Sequence, residues 1–166
     1  MVRTSALLLA CTLVCCVTGC AKKPVARDLA VVNTTAGTLG NVRVDDQLAK
    51  LCNVTFGNAD RAPKFDYDEA ALLPQDRDVL EQVAKCVTTG PLKGRKLALV
   101  GRADPRGETE YNMVLGDHRA DAVHIYLARL GVGTNAMSKT SRGELDAEGQ
   151  DDDGWSRDRR VDIALE

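Results

Sequence analysis

Aromatic residues are scarce in this 166-residue chain, which holds two Phe, three Tyr and one Trp, or 4%. A core must therefore be assembled mainly from Val, Leu and Ala, and the length suffices for one domain with additional segments. Histidine is also rare, with only His118 and His124, and no CxxC pair occurs. The common zinc-ligand patterns are thus missing, and neither a metal nor a cofactor is expected. There is no G-x-S-x-G and no H-E-x-x-H, and the only rich acid cluster sits in a loop. A hydrolase would need a nucleophile with its base, a zinc set or two opposed acids, so an enzyme is not the expected class. The apolar run Ala6 to Val17 is too short to cross a bilayer comfortably. Nor is positive charge in excess: 22 Lys and Arg against 24 Asp and Glu give −2, which argues against nucleic acid as a general partner.

What is present is concentrated between Leu97 and Leu130, LALVGRADPRGETEYNMVLGDHRADAVHIYLARL. Leu97 to Val100 is an apolar run of strand length, placing a strand at Lys96 to Gly101. A polar turn, Gly101 to Gly107, leads into a helix-period segment that ends at Gly131, a C′ glycine. On that helix Asn112 and Arg119 share one stripe two turns apart, with Gly116 between them. Arg119 also borders the stripe of Ala120, Val123 and Leu127 that faces the core. His118 and His124 fall on other faces and read as surface residues.

Other elements follow from the same rules. Pro74 suits a first helical turn, Asp76 and Asp78 suit its positive end, and Leu80, Val83, Ala84 and Val87 recur at helical spacing. This predicts a helix over Gln75 to Val87, stopped by Thr88-Thr89-Gly90-Pro91. A strand is expected near Met137 to Ser141. The following GELDAEGQDDDG carries Glu144, Asp146, Glu148, Asp151, Asp152 and Asp153, and its spacing does not match an EF-hand. It reads as a solvated acidic loop. Val161, Ile163 and Leu165 then alternate as in a half-buried strand.

The pattern G-x-A-D-x-x-G followed by Y-N-x-x-L-G-x-x-R-A-x-x-V resembles the OmpA-like peptidoglycan-binding domain, close to its version in peptidoglycan-associated lipoproteins. The resemblance covers Lys64 to Leu165. It implies an α+β fold of order β-α-β-α-β-β, with the helices packed on a small mixed sheet. Phe65-Asp66-Tyr67-Asp68 resembles the family's opening F-x-F-D strand, which lines one side of the ligand cleft. Arg159-Arg160-Val161-Asp162-Ile163 resembles its closing N-R-R-V-x-I strand, with Asp158 in place of the usual Asn. In the family a loop Asp and a helix Arg hold the diaminopimelate of the cell-wall peptide, and these fall on Asp104 and Arg119. Asn112, Asp68 and Arg160 are the expected further contributors. Arg102 stands where the family commonly has His or Tyr, and adds charge near Asp104. Arg106 and Glu108 read as loop surface.

The N-terminal segment, residues 1–19, is read as a lipoprotein signal peptide with Arg3 as its minimal positive region. Val17-Thr18-Gly19-Cys20 resembles the lipobox, which implies a diacylglyceryl group on Cys20 and usually an N-acyl chain. Several chains make a stable anchor, because each buried CH₂ adds about 0.8 kcal/mol. Ala21 after the Cys resembles outer-membrane sorting, with the domain facing the periplasm. Residues 20–49 read as the lipidated N-terminus and a tether, punctuated by Thr34, Thr35, Gly37, Thr38 and Gly40, with room for only a short strand at Val42 to Val44. The binding domain is then 50–166. Cys52 and Cys86 remain as an even pair in an exported chain and read as a disulfide, two buried free thiols being the other arrangement.

Chemically, a free diaminopimelate end offers a carboxylate and an ammonium close together. Arg119 suits the first because its planar fork donates two parallel bonds, and Asp104 suits the second as an acceptor-only group. The expected function is non-covalent peptidoglycan binding that links the outer membrane to the wall. The alternatives are an interaction module of a Tol-type envelope complex and, further off, a cell-wall enzyme.

Overall fold

The computed structural model describes residues 42–55 and 65–166. The expected signal peptide, Cys20 and most of the expected tether lie outside the described residues. In chain order the elements are β1 (Val42–Val44), α1 (Asp46–Cys52), α2 (Pro74–Thr88), β2 (Leu97–Arg102), α3 (Thr109–Arg129), β3 (Met137–Gly143), α4 (Asp152–Asp158) and β4 (Val161–Leu165). A 3-10 turn at Thr134–Ala136 leads into β3.

The strands form one mixed sheet of order β1-β4-β2-β3. β1 runs parallel to β4, β2 parallel to β3, and β2 antiparallel to β4 with Leu99 opposite Ile163. Side chains alternate across a strand, so Leu97, Leu99, Val161 and Ile163 share the fully buried face. α3 covers β2 and β3 on that face and packs against α2. The α+β class with helices on a small mixed sheet is therefore the observed architecture.

α2 forms where its caps dictate. Pro74 occupies the first helical position, where a missing N–H costs nothing, and the Asp76 carboxylate accepts the N–H of Leu73 at 2.9 Å. Val79, Leu80, Val83, Ala84 and Val87 make its buried face. α3 ends at Arg129 with Leu130 as its cap, and Gly131 follows at φ +93°, the left-handed conformation expected of a C′ glycine. Between β2 and α3 the backbones nearly touch: a Cβ added to Gly101 would sit 1.8 Å from the Gly116 carbonyl oxygen. No residue larger than glycine fits there.

Three expectations are corrected. Phe65 to Asp68 is not a strand: Phe65 is fully buried and donates one N–H to the Arg159 carbonyl, after which Tyr67 and Asp68 turn, Asp68 at φ +60°. The outer place beside β4 goes to Val42–Val44, inside the range assigned to the tether. α1 also begins inside that range, capped by Asp45, whose carboxylate accepts from Gln47 and Leu48 N–H. Finally, β3 extends to Gly143, and the acidic segment after it folds in part as α4, with Asp151 accepting the Gly154 N–H.

Cys52 and Cys86 form a disulfide with Cα atoms 5.5 Å apart, joining α1 to α2. Closing a sequence separation of 34 residues stabilises by about 4 kcal/mol in the chain-entropy model.

Candidate functional site

The glycine contact between β2 and α3 delivers the turn 103–108 and the first half of α3 to one end of the sheet. There a small open cleft is lined by Tyr67, Asp68, Asp104, Arg106, Tyr111, Asn112, Leu115 and Arg119, with Ala103 and Gly107.

Asp104 is buried, at 4% exposure. Its Oδ1 accepts the Arg106 backbone N–H and Nε–H, both at 3.1 Å. Its Oδ2 accepts Arg106 Nη2 at 2.8 Å and Arg159 Nη1 at 3.0 Å. Burial works to raise the carboxyl's pKa, but the bonds from the two guanidinium groups outweigh it and hold it below the ordinary value. Asp104 is therefore a fixed anion at neutral pH.

Arg119 has no exposed surface. Nε donates to the Glu69 carbonyl at 2.8 Å, Nη1 to Arg102 O at 2.8 Å and Nη2 to Asp66 O at 3.2 Å. Its Cζ lies 5.0 Å from the Phe65 ring centre. Burial, joined by repulsion from Arg159, lowers its pKa to about 10, which leaves it charged at neutral pH. A guanidinium has five N–H donors. The three carbonyls take Nε–H and one hydrogen on each terminal nitrogen, leaving one on Nη1 and one on Nη2 with no partner among the described residues. Those two hydrogens are what Arg119 has left for a ligand. Asp117 and Asp121, its acidic neighbours on α3, pair with Lys139 at 3.1 and 2.9 Å.

Asn112 is buried, and its Nδ2 donates to the Asp104 and Arg106 carbonyls at 3.2 and 3.1 Å and to the Glu144 carboxylate. It therefore ties the turn to α3. Glu144 also accepts from the Thr109 hydroxyl at 2.8 Å, so this part of the acidic segment closes back on the cleft rather than standing free in solvent. Asp68 accepts the Tyr111 hydroxyl at the rim.

Asp68, Asp104, Asn112 and Arg119 are thus brought together, and Arg160 is not. Its Nε donates to Asp162 Oδ1 at 2.9 Å and its Nη1 to the Arg157 carbonyl at 3.0 Å, away from the cleft. Arg160 lies just ahead of β4 and turns to Asp162, whereas Arg159, the cap of α4, is the one that reaches Asp104. Arg102 likewise pairs with Asp146 and Asp162, not with Asp104. Arg106, expected on the loop surface, lies in the cleft with Cζ 4.3 Å from the Tyr67 ring centre and 4.4 Å from that of Trp155. No local pattern announces that stack, because both rings are distant in sequence.

A family model described as the OmpA family matches residues 64–161. The chain is similar to the peptidoglycan-associated lipoprotein of Pseudomonas putida, 38% identical over 101 residues, 60% of this chain and 59% of that protein. It is also similar to that of Haemophilus influenzae, 31% identical over 137 residues, 81% of this chain and 82% of that one. Against the first of these and its Pseudomonas aeruginosa counterpart, the chain spans somewhat under three fifths of their length, 59% and 58%. Among solved structures, the peptidoglycan-associated lipoprotein from Burkholderia pseudomallei superposes with a TM-score of 0.58 at 35% identity, covering 62% of this chain and 87% of that one. The C-terminal domain of Helicobacter pylori MotB shares the fold alone, at 22% identity and a TM-score of 0.56, covering 62% and 81%.

Proposed function

This chain belongs to the OmpA family, and from that premise we propose that it binds peptidoglycan without catalysis, holding the free end of a diaminopimelate side chain in the cleft. The observation that carries the reading is the pair of uncommitted Arg119 hydrogens beside the Asp104 carboxylate in one cleft. A ligand carboxylate takes those hydrogens of Arg119, and a ligand ammonium approaches Asp104. Each charge-assisted contact is worth roughly 1.5–3 kcal/mol, so two of them sum to about 3–6 kcal/mol, the range of millimolar to tens-of-micromolar binding before association costs. Weak single contacts suffice on a polymeric wall, where many equivalent ends raise the effective concentration.

The names of the curated relatives support this ligand class, since those proteins are called peptidoglycan-associated lipoproteins. On the same reading Cys20 carries lipid in the outer membrane and the domain faces the periplasm, so that binding links membrane to wall. The test is co-sedimentation of residues 21–166 with isolated sacculi, competed by a tripeptide ending in meso-diaminopimelate. Sedimentation that survives both Asp104→Ala and Arg119→Ala in folded protein would remove the cleft from this function.

A further inference from the structure

The cleft is not empty of cations, because the chain supplies one itself. Arg106 reaches the Asp104 carboxylate through Nε at 3.1 Å and Nη2 at 2.8 Å, while its guanidinium lies between the Tyr67 and Trp155 rings. A cation bonded to a carboxylate and set against two aromatic rings occupies the kind of place that holds an organic cation. We propose that Arg106 is a specificity-determining residue: it occupies the ammonium place of the cleft and leaves when a ligand brings its own ammonium to Asp104. This rests on the reading of the cleft as a site for a zwitterionic peptide end.

The two guanidinium groups on Asp104 are unequal in a way that fits such an exchange. The Arg159 side chain is 13% exposed and also donates Nε to the Phe65 carbonyl at 2.6 Å, so it is locked in place. The Arg106 side chain is 34% exposed and its other neighbours are ring faces, so it can swing into solvent without stranding a buried donor. When it leaves, Asp104 keeps Arg159, and the incoming ammonium restores the charge that departed. The exchange also selects. A ligand with only an ammonium trades one cation for another and gains little. A ligand with only a carboxylate reaches Arg119 but leaves Arg106 where it is. A zwitterionic end does both, and the Arg119 contact supplies the net gain.

Trp155 is the chain's only tryptophan, so its emission reports whether the Arg106 guanidinium still covers it. The experiment titrates the protein, residues 21–166, with a tripeptide ending in meso-diaminopimelate, following Trp155 emission and heat in parallel. A second peptide carries 2-aminopimelate instead, keeping the side-chain carboxylate and lacking its ammonium. The expected result is an emission change that saturates with the heat for the first peptide and no emission change for the second. Arg106→Gln should bind the first peptide about three- to fivefold tighter, the scale of a partly exposed ion pair, with no further change in emission. Binding to the wild type at constant emission, or weaker binding by Arg106→Gln, would overturn the proposal while leaving the site intact. Failure of the wild type to bind the tripeptide at all would overturn the peptidoglycan reading and this inference with it. The wild-type emission titration decides the matter even if the variant does not fold.

Discussion

Two of the three aspartates buried among the described residues, Asp76 and Asp104, sit at opposite kinds of site, and their pKa values move in opposite directions. Asp104, at the cleft, meets two guanidinium groups and is held below the ordinary carboxylate value despite burial. Asp76, at the start of α2, has no exposed surface and meets backbone N–H groups, of Leu73 at 2.9 Å and of Val42. There burial wins, pushing the carboxyl up to about 7 against the lowering effect of those bonds and of Arg77. The difference shows that burial alone does not decide the state of a carboxylate. A neutral N–H offsets part of the lost hydration, whereas a guanidinium supplies opposite charge where the dielectric is low. One site fastens β1 to α2, and the other keeps an anion ready at neutral pH.

The strongest test of the charged end removes its least exposed cation. Arg119→Met should leave the carbonyls of Glu69, Arg102 and Asp66 without donors, at a cost of about 3 kcal/mol or more in urea denaturation. A loss below about 1 kcal/mol would mean that those carbonyls are readily hydrated, and that the cleft does not depend on this side chain for its shape.

Next in size is the titration of Asp76. A carboxyl whose folded pKa is raised stabilises the fold fully below its unfolded value near 4, and loses that contribution as pH rises through about 7. Wild-type unfolding free energy should therefore decline over that window by something on the order of 3 kcal/mol, and Asp76→Asn should flatten the decline. An unchanged slope in the variant would assign the effect elsewhere.

Asp104 carries the opposite sign and a smaller effect. Its depressed pKa contributes stability above the unfolded value, lost as pH falls through the folded one. Asp104→Asn should cost about 1–2 kcal/mol at neutral pH and weaken binding of the diaminopimelate peptide about tenfold. Calorimetry and denaturation on the same sample would separate the two losses. The smallest effect is expected at Asp151, an exposed cap of α4. Asparagine caps as well as aspartate, so Asp151→Asn should change stability by less than about 0.5 kcal/mol and leave binding unaltered.

How far the sequence could be read depended on the range of the interactions involved. α2, α3 and β4 were legible because their apolar periodicity and caps are local: the expected helix over Gln75 to Val87 lies within the observed Pro74–Thr88. Val42–Val44 was not assigned to the sheet because three residues carry too little periodicity, and its place depends on pairing with Val161 to Ile163. The same holds for the cleft. Asp104 and Arg119 could be placed from the motif, and Asn112 from its helical stripe with Arg119. The turn of Arg160 toward Asp162 and of Arg159 toward Asp104 depends on how the chain passes from α4 into β4, which no local pattern fixes. Arg106 is different: its ring contacts join a turn, a segment before α2 and a helix after β3, and only the folded chain brings those together.

The meeting of Gly101 and Gly116 limits how this protein can change over generations. Even a methyl group at Gly101 would strike the α3 backbone, and one at Gly116 would strike the Ser141 side chain 2.3 Å away. Substitution at Gly101 displaces the helix, and with it Asn112 and Arg119 together. The floor of the cleft is therefore closed to gradual adjustment by mutation. Adaptation to a different ligand has to work through the rim, where Tyr67, Arg106 and Tyr111 face solvent and can be exchanged one at a time.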